Sequence, residues 1–462
     1  MRNLLQPVNR LPSEIISRIA RCLLKGSTDT RSMIPLTHVC MYWRESIIST
    51  PENWVFISSE SKSLAALSLQ RAKAAPLDIR LEMAQVKKTP GFSDLLASYM
   101  KNAGSLLVHF GFPIQQLAQT IPIFPQSMPN LRWLSLIGQP EGGNWSIDPF
   151  GPLSPALAGL DLTFIPLYPS FLHLRALTFL SVFHSQFNLH LDTLLDFLEQ
   201  NHSLKRATLV IKFTDPSLRS SRRQVTIRNS FKNLTIGSPD VMDANALMSS
   251  VAPQRVLHLE IYLANQNPRS DDVASLISMA HASNPDPPTN MEYHLENNRI
   301  RLSRPNGSFT FQGLFGPKNL FKEFPPLHFT NVRVFHIRSV RTPTLLFGRI
   351  TLPLPHLPAL ETLVFEYGTT VPFPFSALLS DLSSSPSLKT LAFLDCGFEE
   401  GFVEKLAQFA SDRKNTTSAW LHRVVIVNSK GTLPEFASIE ALRKHVSVVD
   451  VRIGNKLPAD LV

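Results

Sequence analysis

The sequence predicts an α/β chain: a small N-terminal module of three helices, followed by an irregular solenoid of short strands that form a parallel β-sheet on its concave face. Three observations predict it. Residues 11–57 show helical apolar periodicity punctuated by Gly and Pro. From Leu131 onward an apolar triplet at i, i+3 and i+5 recurs, mostly every 25–28 residues. Several of these triplets follow a Pro-containing turn. A chain of 462 residues with 44% hydrophobic content has room for one small and one large domain.

The N-terminal helices come first. Pro12 precedes an apolar run and suits a first helical turn, where its missing N–H would be unpaired anyway. Glu14 falls in that turn and favours the positive end of the helix dipole. Ile15, Ile19 and Leu23, flanked by Ile16 and Leu24, make a broad apolar face. Gly26 suits the helix end. A short second helix is expected from Pro35 to Val39, and a third from Cys40 to Ile48 carrying Trp43 and Ile47. Pro51 closes it, and Trp54 and Ile57 return to the small core.

The order of these signals is more specific than the helices alone. "LPSEI" (Leu11 to Ile15) opens the segment, "VCMYWR" (Val39 to Arg44) follows, and "TPENW" (Thr50 to Trp54) closes it. This combination resembles an F-box, the helical module that docks onto a Skp-family adaptor of a cullin-type ubiquitin ligase. The resemblance covers residues 8–57 and places Leu11, Pro12, Ile15, Ile16, Val39, Cys40 and Trp43 among the adaptor-contacting and core positions. It does not separate contact from core. Pro35 shortens the second helix relative to a typical F-box.

Residues 58–125 read as a linker helix near 63–73 and two early strands, at Pro76 to Leu81 and Leu106 to Phe112. The region 126–462 carries the recurring L-x-x-L-x-L triplet, which resembles leucine-rich repeats. Triplets start at Leu131, Leu157, Leu177, Leu204, Phe231 and Val256, and then at Val332, Leu360, Leu388, Leu421 and Val448. The preambles "MPNL", "SPAL", "LPAL" and "SPSL" place Pro where one element must end and a strand begin. The repeats are degenerate: the Asn or Cys usual at the ninth position occurs only as Cys396, which reads as structural. The long step after Val256 holds an insertion near 265–328, read as two irregular repeats or a loop.

If the strands stack in parallel, their alternate positions line the concave face. That register names Trp133, Phe179, Phe183, Arg206, His258, Tyr262, His336, Arg338 and Arg423 as target-binding candidates, with Asp161, Glu260, Glu366 and Arg452 beside them. Aromatic residues mixed with Arg are common in binding hot spots.

Composition and charge bound the rest. The net charge of +9 is concentrated in the middle of the chain. Residues 203–232 hold eight Lys/Arg against Asp215, and residues 299–349 hold nine against Glu323. Acidic partners or nucleic acid would suit such segments, but no nucleic-acid module accompanies them. No apolar run approaches the ~20 residues of a membrane span, and the N-terminus lacks the apolar stretch of a signal peptide. Three cysteines fit a reducing compartment, so a cytoplasmic or nuclear location is expected. The Asn-x-Ser/Thr sequons are then chance matches.

No phosphate-binding Gly-rich loop, H-E-x-x-H, G-x-S-x-G or C-x-x-C motif is present. No catalytic residue, metal site or cofactor is expected, and Cys22 and Cys40 are read as small core residues. The two resemblances together imply a fungal-type F-box protein: a substrate-recognition subunit with no chemistry of its own. Its partners would be a Skp-family adaptor, through it a cullin, and an unknown protein target. The alternatives are a non-degradative F-box scaffold, or a repeat-based binder of acidic partners or nucleic acid.

Overall fold

The computed structural model describes residues 10–26, 30–111, 128–139, 154–187, 190–219, 232–251, 256, 258–263, 275–276, 278–279, 288–294, 299–304, 307–313, 329–339, 357–367, 372–373, 379, 382, 385–398, 400–416, 420–428, 436–453 and 458. The chain is mixed α/β and divides into two compact units, residues 1–231 and 232–462. Each unit is organised by a largely parallel sheet.

The first unit begins with α1 (Ser13–Gly26), α2 (Ile34–Thr37) and α3 (Met41–Ser49). Pro35 sits in the first turn of α2, which lasts only four residues and follows a 3-10 turn at Thr30–Met33. Both α1 and α2 pack on α3. Ile16, Ala20, Met33, Trp43, Ile47, Trp54 and Ile57 are buried. Polar ties hold the ends of the segment. Tyr42 Oη donates to the Leu11 carbonyl at 2.9 Å, and Trp54 Nε1 donates to the Ile47 carbonyl at 2.9 Å. Thr30 Oγ1 donates to the Phe56 carbonyl at 2.6 Å, joining the helices to the first strand.

That strand is β1 (Phe56–Ser58), followed by α4 (Lys62–Ala72), whose N-terminus is capped by the Ser61 side chain. Then come β2 (Leu77–Glu82), α5 (Met83–Lys88), α6 (Phe92–Ala97), β3 (Ala103–His109), β4 (Trp133–Ile137), β5 (Gly159–Thr163), β6 (Phe179–Phe187), α7 (Leu191–Gln200) and β7 (Arg206–Phe213). Strands β1 to β7 pair in chain order, each parallel to the next. Their register aligns two apolar rows. Ile57, Ile79, Leu106, Leu134, Leu160, Leu180 and Ala207 form one, and Leu81, Val108, Leu136, Leu162, Val182 and Leu209 the other. Every member is buried.

The same local device starts several strands in both units. The Leu131 N–H closes a turn onto the Met128 carbonyl, Leu157 onto Ser154, Leu204 onto Asn201, Val332 onto Phe329, Leu360 onto Leu357 and Leu388 onto Ser385. The closing side chain is fully buried in each case. At most of these sites the next two N–H groups share one carbonyl of the preceding strand, as Ala158 and Gly159 share that of Arg132, and Lys389 and Thr390 that of Glu361. The Pro-containing preambles therefore mark these turns.

The second unit contains β8 (Asn233–Ser238), α8 (Val241–Val251), β9 (His258–Leu263), β10 (Asn290–His294), β11 (Arg299–Arg304), β12 (Gly307–Gly313), β13 (Val334–Ser339), β14 (Thr362–Tyr367), β15 (Pro372–Phe373), β16 (Thr390–Leu394), β17 (Gly397–Phe398), α9 (Phe402–Thr416), β18 (Arg423–Asn428), α10 (Phe436–Arg443) and β19 (Val448–Ile453). The short β15 and β17 pair only with each other. The insertion, read from sequence as two irregular repeats or a loop, holds regular strands over its described residues. It is a three-stranded meander in which β11 is antiparallel to both β10 and β12. Because only the middle strand reverses, β12 joins β9 and β10 joins β13 in the parallel sense. An apolar row continues through it, from Ile236 and Ile261 via Phe311, Ile300 and Tyr293 to Ile337, Phe365, Phe393, Ile426 and Val451.

Two buried polar side chains pin turns in place of the expected ladder. Asn201 donates to the carbonyls of Leu174 and Phe197 and accepts from the Leu177 N–H. Arg413, 3% exposed, donates to the carbonyls of Leu382, Ser385, Pro386 and Leu388. Cys396 is buried with its thiol against the Phe365 carbonyl, in the structural role expected of it. Cys22, by contrast, is exposed and Cys40 half-buried, so neither is a core cysteine. Cys22 lies on the outward side of α1, and Cys40 occupies the extended position that precedes α3.

Leu360→Ala is expected to cost about 2–5 kcal/mol, because a fully buried leucine leaves a cavity. Asn201→Ala is expected to cost about 1–3 kcal/mol through three orphaned backbone groups. Chemical denaturation of the full chain measures both, and a midpoint unchanged from wild type in either variant would contradict the role given to the strand-start turn.

Candidate functional site

Two surfaces hold the residues singled out by sequence. The first is the N-terminal module. Its apolar residues divide into core and surface, a division the sequence left open. Ile16 and Trp43 are core. Pro12 is exposed, Leu11 and Cys40 are half-buried, and Ile15 and Val39 face solvent at 40% and 48% exposure. Sequence reasoning missed three others: Leu23, Ile34 and Met41, the last 73% exposed. Of ten large hydrophobic residues exposed among the described residues, five therefore fall between positions 15 and 41. The signal that could have found Leu23 was the width of the apolar stripe on α1, which exceeds what one short partner helix can cover; Ile34 and Met41 open α2 and α3 and lie off that stripe. The buried face of α1, at Ile16 and Ala20, is fixed by packing on α3. Ile15 and Leu23 lie outside it. Exposed apolar residues concentrated in one segment make it a candidate docking surface.

The second surface is the face of the sheet opposite the apolar rows. In the first unit part of it is accessible, although Ser135, Ser181 and Val210 on this face are buried. Trp133, Phe179 and Arg206 occupy one cross-strand row, with Gly159 between Trp133 and Phe179. Trp133 is 37% exposed, Phe179 and Phe183 are half-buried, and Arg206 is exposed. The Trp133 and Phe179 rings lie 4.8 Å apart at 32°. Asp161 accepts a hydrogen bond from Ser135 Oγ at 3.1 Å.

In the second unit the candidates are largely engaged within the chain. His258 is exposed, with Nδ1 2.9 Å from Ser308 Oγ, and Tyr262 is half-buried beside Gly237. His336 and Arg338 both contact Glu366, at 2.9 and 2.7 Å, and Arg338 also reaches Glu292 at 2.7 Å. Arg299 pairs with Glu260 at 3.5 Å, and Arg423 lies 3.8 Å from Asp450, which also holds Arg452. These pairings satisfy part of the basic middle internally, whereas residues 220–231, 305–306, 314–328 and 340–349 of the basic segments lie outside the described residues.

One expectation is corrected here. Alternate positions of β14, β16 and β18 do not line an open face: Val364, Ala392, Leu394, Val425 and Val427 form a buried apolar cluster. The strands read "TLVFEY", "TLAFL" and "RVVIVN", with little of the apolar/polar alternation of a half-solvated strand. An open recognition face is therefore restricted to other parts of the sheet.

Among the described residues no group of His, Cys, Asp and Glu is arranged to hold a metal ion, and no helix is long and apolar enough to cross a membrane. No known family model matches the chain, and no curated protein is significantly similar to it.

Contact with His336 is the largest influence lowering the Glu366 carboxyl below its ordinary value; burial opposes it and the Arg338 charge reinforces it. A lowered carboxyl pKa stabilises the fold above its unfolded value and loses that contribution as pH falls through the folded value. Glu366→Gln is thus expected to destabilise the chain at neutral pH, with the gap to wild type closing on acidification below the ordinary carboxylate range. Thermal unfolding of both proteins across that range measures it, and a gap that widens in acid would contradict the assigned network.

Proposed function

We propose that this chain is the substrate-recognition subunit of a Skp–cullin–F-box ubiquitin ligase. In this reading residues 8–57 are an F-box and the remainder is a degenerate leucine-rich-repeat solenoid. The observation that carries the reading is the apolar surface at Ile15, Leu23, Ile34, Val39 and Met41, on a module whose sequence order resembles an F-box. Burying that surface against a Skp-family adaptor would supply the driving force, at roughly 25 cal/mol per Å² of apolar area before the costs of association.

The chain itself performs no chemistry in this account. The adaptor and a cullin would bring a ubiquitin-conjugating enzyme to the complex, and the sheet would hold a protein target within its reach. Rate enhancement would come from the effective concentration of the target lysine. The accessible sheet face in the first unit, with Trp133, Phe179, Phe183 and Arg206, is the part best suited to the target.

The test is co-purification of the full chain with a Skp-family adaptor. Val39→Asp combined with Met41→Asp is expected to weaken binding at least about tenfold, with the helical circular-dichroism signal retained, because both residues are exposed. Trp43→Ala should lose binding together with helical signal, since Trp43 is core. Failure of folded wild-type chain to bind adaptor would overturn the proposal, as would full binding by the Asp double variant.

A further inference from the structure

We infer that the sheet face of the first unit binds a basic side chain, lysine or arginine, of a protein target, on an aromatic shelf of Trp133 and Phe179 with Asp161 as its counter-charge. The existence of a target rests on the function proposed above; the chemistry of the shelf does not.

The shelf is built by a missing side chain. Trp133 and Gly159 are register partners on β4 and β5. A Cβ placed on Gly159 would lie 2.1 Å from the Trp133 ring, closer than any side chain permits. Glycine therefore lets the indole lie across the backbone of β5 and meet Phe179 on β6. A glycine within a strand weakens it and often marks a close approach of another group. Here that group is the indole, which is still 37% exposed. The shelf thus spends strand stability on an aromatic surface that the fold leaves uncovered.

The charges around the shelf choose the ligand. Asp161 lies two residues along β5 from Gly159, roughly 7 Å away along the strand, on the same face of the sheet. Its carboxylate is held by Ser135 Oγ and has no cationic partner among the described residues. Nearby cations on this face are engaged or distant. Arg80 stacks on Phe56 at 4.7 Å, and His109 pairs with Glu82 at 2.5 Å. Arg206 follows Phe179 in the same row, beyond the far edge of the shelf. Negative charge therefore lies beside the middle of the shelf, on β5, and positive charge lies past its Phe179 edge. A cation is attracted to the face of an indole, gains a carboxylate at Asp161, and is kept from the Phe179 edge by Arg206. An acidic or purely apolar side chain would gain only part of this arrangement.

The experiment uses the full chain labelled with fluorotryptophan, with the Trp133 fluorine resonance assigned by its loss in Trp133→Phe. The probes are a short serine–arginine–serine peptide and its citrulline counterpart, which keeps the shape of arginine without its charge. The arginine peptide should shift the Trp133 resonance saturably while leaving the other tryptophans in place. The citrulline peptide should bind about tenfold more weakly. Asp161→Asn should lose about the same factor while keeping the remaining resonances unchanged, which shows that it is folded. Gly159→Ala should abolish the response by displacing the indole. Equal affinity for the two peptides, or no Trp133 shift with the arginine peptide, would overturn the proposal. Adaptor co-purification on the same samples separates the two claims: a charge-selective shift in a chain that binds no adaptor removes the ligase reading and keeps the shelf.

Discussion

A carbonyl shared by two successive N–H groups starts β5, β6, β7, β13, β14, β16 and β18, and it is the interaction that sets the register of these strands. At β5, β7, β13, β14 and β16 a buried leucine or valine closes a tight turn just before it. Side chains alternate between faces, and a slip of one residue would exchange the buried and exposed sets. The aligned rows of Leu, Ile and Val in both units follow from this repeated start. The antiparallel β11 does not break the pattern, because β10 and β12 restore the direction of the sheet on either side of it.

Register also decides what each part of the opposite face can do. Around Arg338 it brings Glu292 and Glu366 within ion-pair distance, so residues that look free in the sequence are neutralised by cross-strand neighbours. Across β14, β16 and β18 it assembles a second buried apolar layer. In the first unit the same geometry leaves Trp133 37% exposed and Asp161 without a cationic partner among the described residues. Among the described residues the N-terminal helices hold five of the ten exposed large hydrophobic residues and the Trp133 shelf one more, and the functional proposals rest on those two surfaces.

Much of this was legible in the sequence. The leucine triplets located the strands because the buried positions of a strand recur at two-residue spacing. The Pro-containing preambles located the turns because proline ends what precedes it. The three N-terminal helices follow their apolar periods and their Gly and Pro boundaries. The meander was missed because "RLSRPNGSFTF" lacks the leucine triplet and its Pro-Asn-Gly reads as a loop. The division of Ile15 from Ile16 was illegible, since both lie within one broad stripe and only packing on α3 separates them. The engagement of His336 and Arg338 was hidden because their acidic partners lie on other strands. The second buried layer did leave a trace, in the continuous apolar runs of β16 and β18.

The central claim is that the N-terminal helices are the docking surface for a Skp-family adaptor. Hydrogen exchange of the full chain, with and without saturating adaptor, tests it most directly. The account predicts slowed exchange confined to residues 13–26 and 34–49, with the sheet strands unchanged. Protection that falls instead on the sheet, or no protection anywhere, would contradict it.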